Sequence, residues 1–164
     1  MAATLVFIHG LESTSQGVKG QFFRKYFPEM IIEDYIGDFD NRMKKLAGLL
    51  AAKNNLILVG SSYGGTMAAQ FALQNENRLQ KIILLAPALN LPEFSPNAHQ
   101  QLHLPVVIYH GTNDNIVDPY AVKNIAEKVF TRLEHHLVRD DHSLHNTFPA
   151  IDWAKILLRK DPLG

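Results

Sequence analysis

Cysteine is absent from all 164 residues, which closes this chain to a disulfide framework and to thiolate chemistry. Net charge is absent as well. Sixteen Lys and Arg cancel sixteen Asp and Glu, and no basic run interleaved with aromatics offers a face to nucleic acid or an anionic membrane. No apolar stretch approaches the length of a membrane span. The opening Met-Ala-Ala-Thr passes straight into an apolar run, without a basic segment, an apolar signal core or a cleavage site, so a cytoplasmic location is expected. Phosphate loops are lacking too: the first apolar run is followed by His-Gly-Leu-Glu-Ser, which is neither Gly-x-Gly-x-x-Gly nor Gly-Lys-Ser/Thr. No nucleotide cofactor is expected, and the partner should be a small molecule or another protein.

What is present is enough for one core. An apolar content of 46% and the lack of any linker-like stretch make residues 1–164 a single expected domain. Short continuous apolar runs fall at Thr4–Ile8, Met30–Glu33, Leu56–Val59, Lys81–Leu85, Val106–Tyr109 and Glu134–Val138. Between them, helical spacing appears near Gly20–Phe27, Phe39–Lys53, Ser62–Gln74, Tyr120–Arg132 and Leu144–Arg159. Runs apolar on every residue indicate strands covered on both faces. The expected fold class is therefore α/β, a three-layer α/β/α sandwich with a mostly parallel sheet of about six strands, and any ligand site should lie beyond the carboxyl ends of those strands.

The third run, Asn55-Leu56-Ile57-Leu58-Val59, leads directly into Gly60-Ser61-Ser62-Tyr63-Gly64. A Gly-x-Ser-x-Gly motif thus sits where a buried strand ends and a helix begins. In a nucleophile elbow the serine occupies a strained turn, and the residues two before and two after it must lack Cβ because backbone passes close by. Gly60 and Gly64 meet that demand for Ser62. Ser61 has Val59 two residues before it, whose branched side chain would obstruct the turn.

Other strand ends carry compatible chemistry: His9-Gly10-Leu11-Glu12 after the first run, Gly111-Thr112-Asn113-Asp114 after the fifth, and Asp140-Asp141-His142 after the sixth. A serine hydroxyl becomes a useful nucleophile at neutral pH when a histidine accepts its proton, and that imidazole needs a carboxylate to fix its tautomer. Serine, acid and histidine appear here in that order.

Through His9-Gly10, Gly60-Ser61-Ser62-Tyr63-Gly64-Gly65, His110-Gly111-Thr112-Asn113-Asp114-Asn115-Ile116-Val117 and Asp141-His142-Ser143, the chain resembles a small α/β-hydrolase-fold serine hydrolase almost end to end. The resemblance implies Ser62 as nucleophile, Asp114 as acid and His142 as general base, with an oxyanion hole made by the backbone N–H groups of Tyr63 and Leu11. The family usually carries antiparallel strands before its His-Gly strand and often a cap domain. Neither is visible here, which makes this a minimal, capless member and leaves substrate size open.

Each assignment has a competitor. Ser62 has a plain alternative as a helix-terminal serine in an idle domain. Asp118 rivals Asp114, but Asp118-Pro119 reads as an N-cap followed by proline at the first helical position. His145 rivals His142 from a position expected inside the final helix. Asp140 and Asp141 are expected to form turns, and His9 to hold the oxyanion loop. A metal reading of His99 with His103, which could share a helix face, or of His135-His136 fails for want of a third ligand at a recognisable spacing, since consecutive strand residues point apart. No metal is expected.

The expected activity is hydrolysis of carboxylic esters through an acyl-enzyme, with a thioesterase as the nearest alternative and an idle relative that binds a protein as the alternative of another class. The segment from Pro87 to Pro105 contains four prolines and stands where larger relatives insert a cap; it is long enough for a lip but not a lid. Leu89, Leu91 and Phe94 are placed equally well in an acyl pocket or in the core.

Overall fold

The computed structural model describes residues 2–159; residue 1 and residues 160–164 of the expected 1–164 domain lie outside the described residues. The six apolar runs all become strands: β1 Thr4–Ile8, β2 Ile31–Ile32, β3 Leu56–Ser61, β4 Leu79–Leu85, β5 Leu102–Gly111 and β6 Phe130–Val138. Six α-helices intervene or follow, namely α1 Val18–Tyr26, α2 Phe39–Leu49, α3 Tyr63–Asn75, α4 Pro119–Val129, α5 Thr147–Ala150 and α6 Trp153–Leu158. The strands form one sheet in the order β2-β1-β3-β4-β5-β6, and every neighbouring pair is parallel.

Alternation along each strand sorts its side chains into two cores. Val6, Ile8, Leu56, Leu58, Ile82 and Leu84 join the core under α2, α3 and α4, together with Leu46, Phe71 and Val122. Phe7, Ile57, Val59, Ile83 and Leu85 face the other way, onto Phe23 of α1, Phe148 of α5 and Trp153 and Leu157 of α6. The result is the three-layer sandwich. Because β3 and β4 are buried on both faces, truncating a side chain such as Leu58 to alanine would cost about 2–5 kcal/mol.

Local chemistry sets the helix starts. Asp38 accepts the N–H of Asn41 at 2.8 Å to cap α2, and Asp118 accepts those of Tyr120 and Ala121 with Pro119 opening α4. Helix α3 carries small residues on its buried side, Gly64, Gly65, Ala68, Ala69 and Ala72, so its axis lies close to the sheet.

Three expectations on element bounds are corrected. The expected helix Leu144–Arg159 is two short helices, α5 and α6. A helix begun at Leu144 would carry Pro149 in its interior, where the missing N–H and the ring clash break the ladder, so α5 starts just ahead of Pro149 and Asp152 caps α6 anew. His145 accordingly stands in the preceding turn and not in a helix. Strands β5 and β6 both begin earlier than the apolar runs: the first half of β5 alternates between buried and more exposed positions, and β6 opens on Phe130-Thr131-Arg132-Leu133, where two polar residues interrupt the apolar ones. His99 and His103 share no helix: His99 is a turn residue at φ 65° and His103 lies on β5. No helix among the described residues is long and apolar enough to cross a membrane.

Candidate active site

The chain leaves β1 toward one side of the sheet to form β2, then crosses back to place β3 on β1's other side. That reversal opens a crevice at the carboxyl ends of β1 and β3. Leu11 follows β1 and Ser62 follows β3, so the fold brings both to its rim.

Ser62 sits at φ 55°, ψ −114°, a conformation that costs a non-glycine residue roughly 1–3 kcal/mol. The surroundings hold it there. Its N–H donates to the Leu85 carbonyl at 2.9 Å, while its own carbonyl receives the N–H groups of Gly65, Thr66 and Ala88. A Cβ at Gly60 would collide with the Gly64 carbonyl, and one at Gly64 with the Ile8 carbonyl. The two glycines are therefore steric requirements of the turn, as the motif suggests.

His142 lies in the loop after β6 with Nε2 3.1 Å from Ser62 Oγ and Nδ1 2.7 Å from Asp114 Oδ2. Asp114 is buried in the loop after β5. Its Oδ1 accepts the backbone N–H groups of Ile116 at 2.9 Å and Val117 at 2.8 Å, and its Oδ2 accepts His142 together with His110 Nε2 at 3.0 Å. Burial alone would raise the Asp114 pKa, but the donors from Val117, His142 and Ile116 outweigh it and hold the carboxyl below its ordinary value. The carboxylate is thus ionised at neutral pH, and the His142 proton on Nδ1 leaves Nε2 free to accept from Ser62.

The rivals stand elsewhere. Asp118 is occupied as the α4 cap. His145 is exposed and bonds Asp141 at 2.5 Å, and Asp140 accepts the N–H groups of Asn146 and Thr147, so both aspartates shape the turn that presents His142. His9 is buried; its Nε2 accepts the Tyr35 N–H at 2.8 Å, which puts the ring proton on Nδ1, where it donates to the Gly10 carbonyl at 2.7 Å. Burial lowers its pKa and keeps it neutral, and the ring pins the peptide that precedes Leu11. Among the described residues, the N–H groups of Leu11 and Tyr63 make no hydrogen bond within the chain.

Ser62 and His142 open onto a cavity of about 730 Å³ whose apolar wall includes Val18, Phe22, Leu91, Ile116, Leu144 and Phe148. Of the three lip residues, only Leu91 lines it. Leu89 and Phe94 are buried in the core, Phe94 with its ring 6.3 Å from that of Phe130. Among the described residues no cluster of three His, Cys, Asp or Glu is placed to hold a metal ion.

His110 is the one residue of this constellation to which the sequence reading gave no role. Its side chain is fully buried, and Nε2 contacts both Asp114 Oδ2 and the Val117 carbonyl at 3.2 Å. The signal available was its position at the end of an apolar run, four residues before the acid.

Comparison with known proteins agrees with the architecture. The family model described as "Serine aminopeptidase, S33" matches residues 24–100, a stretch that includes Ser62 and stops short of Asp114 and His142. No curated protein matches the sequence. Among solved structures, the chain is similar to alpha/beta hydrolase domain-containing protein 10 from mouse, at 21% identity over 85% of this chain and 82% of that one, with a TM-score of 0.69. It is also similar to Est1E from Butyrivibrio proteoclasticus with ferulic acid bound, at 15% identity over 91% and 84% of the two chains and a TM-score of 0.74. The esterase RhEst1 from Rhodococcus sp. aligns at 16% identity over 91% and 86%, with a TM-score of 0.67. With six parallel strands in this order and a serine turn after the third, the chain has the α/β-hydrolase fold.

Proposed function

We propose that this chain is a serine hydrolase that cleaves carboxylic esters of short acyl chains through an acyl-enzyme intermediate. The observation that carries the reading is the unbroken series from Ser62 Oγ through His142 to a buried, ionised Asp114 at the edge of an apolar cavity. His142 Nε2 takes the proton of Ser62 as Oγ attacks the ester carbonyl carbon, and the developing oxyanion receives the N–H groups of Leu11 and Tyr63. The tetrahedral adduct collapses with loss of the alcohol, which His142 protonates. Water then attacks the acyl-enzyme by the same steps in reverse and releases the acid. Asp114 keeps the His142 proton on Nδ1 and stabilises the imidazolium, remaining a carboxylate throughout.

The esterases among the structural neighbours support the reaction class, and the acyl-chain limit follows from the lip. From the 87–105 segment Ala88, Asn90 and Leu91 reach the cavity, and Leu91 is the one large apolar side chain among them. Each additional CH₂ contributes up to ~0.8 kcal/mol only where it is buried. On p-nitrophenyl esters and matching thioesters, kcat/KM should peak at about two to six acyl carbons, where burial ends. A thioester preference would move the reading to a thioesterase of the same site, a rise through about C12 would show an extended acyl channel, and no turnover of any ester would favour an idle, binding relative.

A further inference from the structure

Asp114 has four hydrogen-bond donors, and only one of them, His142, takes up a proton in the reaction proposed above. Oδ1 is held by two backbone N–H groups, and Oδ2 is shared between two imidazoles, His142 Nδ1 at 2.7 Å and His110 Nε2 at 3.0 Å. Resting on the reading of Ser62, His142 and Asp114 as the reacting series, we propose that His110 is a positioning residue whose Nε2–H fixes the rotation and the charge of the Asp114 carboxylate toward His142.

Both partners of His110 Nε2, Asp114 Oδ2 and the Val117 carbonyl, are acceptors, so Nε2 carries the proton and Nδ1 does not. That leaves Nδ1 as a buried acceptor with no partner among the described residues. A position selected for packing alone would be filled by leucine or methionine without stranding a polar atom. The imidazole is therefore retained for what its other nitrogen does.

The backbone explains why the contact forms. Asp114 N–H bonds back to the Gly111 carbonyl at 3.2 Å, closing a turn that returns the carboxylate over the strand end from which His110 projects. Gly111 lies so close to the Asp140 carbonyl that a Cβ could not fit, which holds this turn against the loop that carries His142. The charged or titratable groups facing His110 are Asp114 from its own loop, His142 from the loop after β6 and His135 from β6 itself. Burial is the largest influence on His110 and lowers its pKa, so it stays neutral and adds a donor at Oδ2 without adding a positive charge beside His142.

The test compares His110→Gln with His110→Asn. The longer amide sets an N–H near the Nε2 position, and the shorter one does not reach Asp114, yet both bury one polar amide at the same place. Activity on a short-chain p-nitrophenyl ester is expressed per active site, counted by covalent titration with an organophosphorus reagent, with KM and the pH dependence of kcat/KM measured alongside. H110N is expected to have kcat about tenfold below H110Q, as for one lost hydrogen bond to a charged group, with KM unchanged within about twofold. Its acid limb should lie about half a pH unit above that of H110Q, because a carboxylate with one donor fewer holds the proton on His142 more tightly. Equal kcat and equal acid limbs in the two variants, or failure of both to fold, would overturn the proposal by reducing His110 to a packing residue. A Ser62→Ala control separates the two levels of the argument: if it abolishes turnover while H110N and H110Q agree, the reaction stands and the positioning role falls, whereas turnover by Ser62→Ala removes the reaction first.

Discussion

The backbone N–H of Ser62 donates to the carbonyl of Leu85, 2.9 Å away at the fully buried end of β4, and this bond ties the strained serine to the centre of the sheet. The strain is local, but what opposes it is the whole central layer, since β3 and β4 are covered on both faces. Ser62 is thereby held at the cavity by the rigid centre of the sheet, with the Ala88 N–H from the loop after β4 as a further anchor on its carbonyl.

Gly64→Ala should break that arrangement, because its Cβ would meet the Ile8 and His9 carbonyls, which are backbone and have no room to yield. Destabilisation of about 4 kcal/mol or more is expected, with activity lost. Gly48→Ala in α2 meets no neighbouring atom and should stabilise the fold by about 0.5–1 kcal/mol. Thermal unfolding of the two variants beside the parent checks both signs.

Asp114→Asn removes the charge that stabilises the His142 imidazolium and permits the wrong tautomer, so kcat should fall by about 10⁴ with the fold intact. Asp118→Asn should leave kcat near that of the parent and change stability by no more than a few tenths to ~0.5 kcal/mol, since asparagine caps a helix about as well. Inactivation by Asp118→Asn with Asp114→Asn active would exchange the two roles.

Acid should begin to destabilise this protein above the pH range in which its carboxylates titrate. His9, His110 and His135 are each held neutral, with burial the first cause; the ordinary value is 6.5 and His135 is brought down to about 4. A histidine with a depressed folded pKa binds its proton more readily in the unfolded chain, so its stabilisation is complete above about pH 6.5 and is lost as pH falls toward the folded value. Urea midpoints should be level from pH 8 to 7 and decline between about pH 6.5 and 4. His135→Gln should flatten the lower part of that decline. A midpoint that rises on acidification through this window would contradict the assignment.

The central strands were legible in the sequence because burial on both faces leaves no alternation: Leu56–Val59 and Lys81–Leu85 read as continuous apolar runs. The starts of β5 and β6 were not, because Leu102–Pro105 alternates and Phe130–Leu133 has Thr131 and Arg132 between its apolar ends, so neither forms a continuous apolar run. Pro149 carried the information that the last helix is broken, but its weight depends on where that helix starts, which periodicity places poorly. The positions of Ser62, Asp114 and His142 at strand ends could be read from chain order. His110 could not be given a role in that way, since its contact with Asp114 exists only once residues 111–114 turn back over the strand. Leu91 and Leu89 likewise differ only through the course of an irregular loop, which has no period to read.

The central claim is that Ser62 is the nucleophile, and covalent labelling followed by peptide mass spectrometry tests it most directly. Incubation with a sulfonyl fluoride or an organophosphorus reagent should add one label per chain, confined to Ser62 within the Gly60–Gly64 peptide, with loss of esterase activity in proportion. Labelling at Ser61, or an active protein that takes no label, would contradict the account.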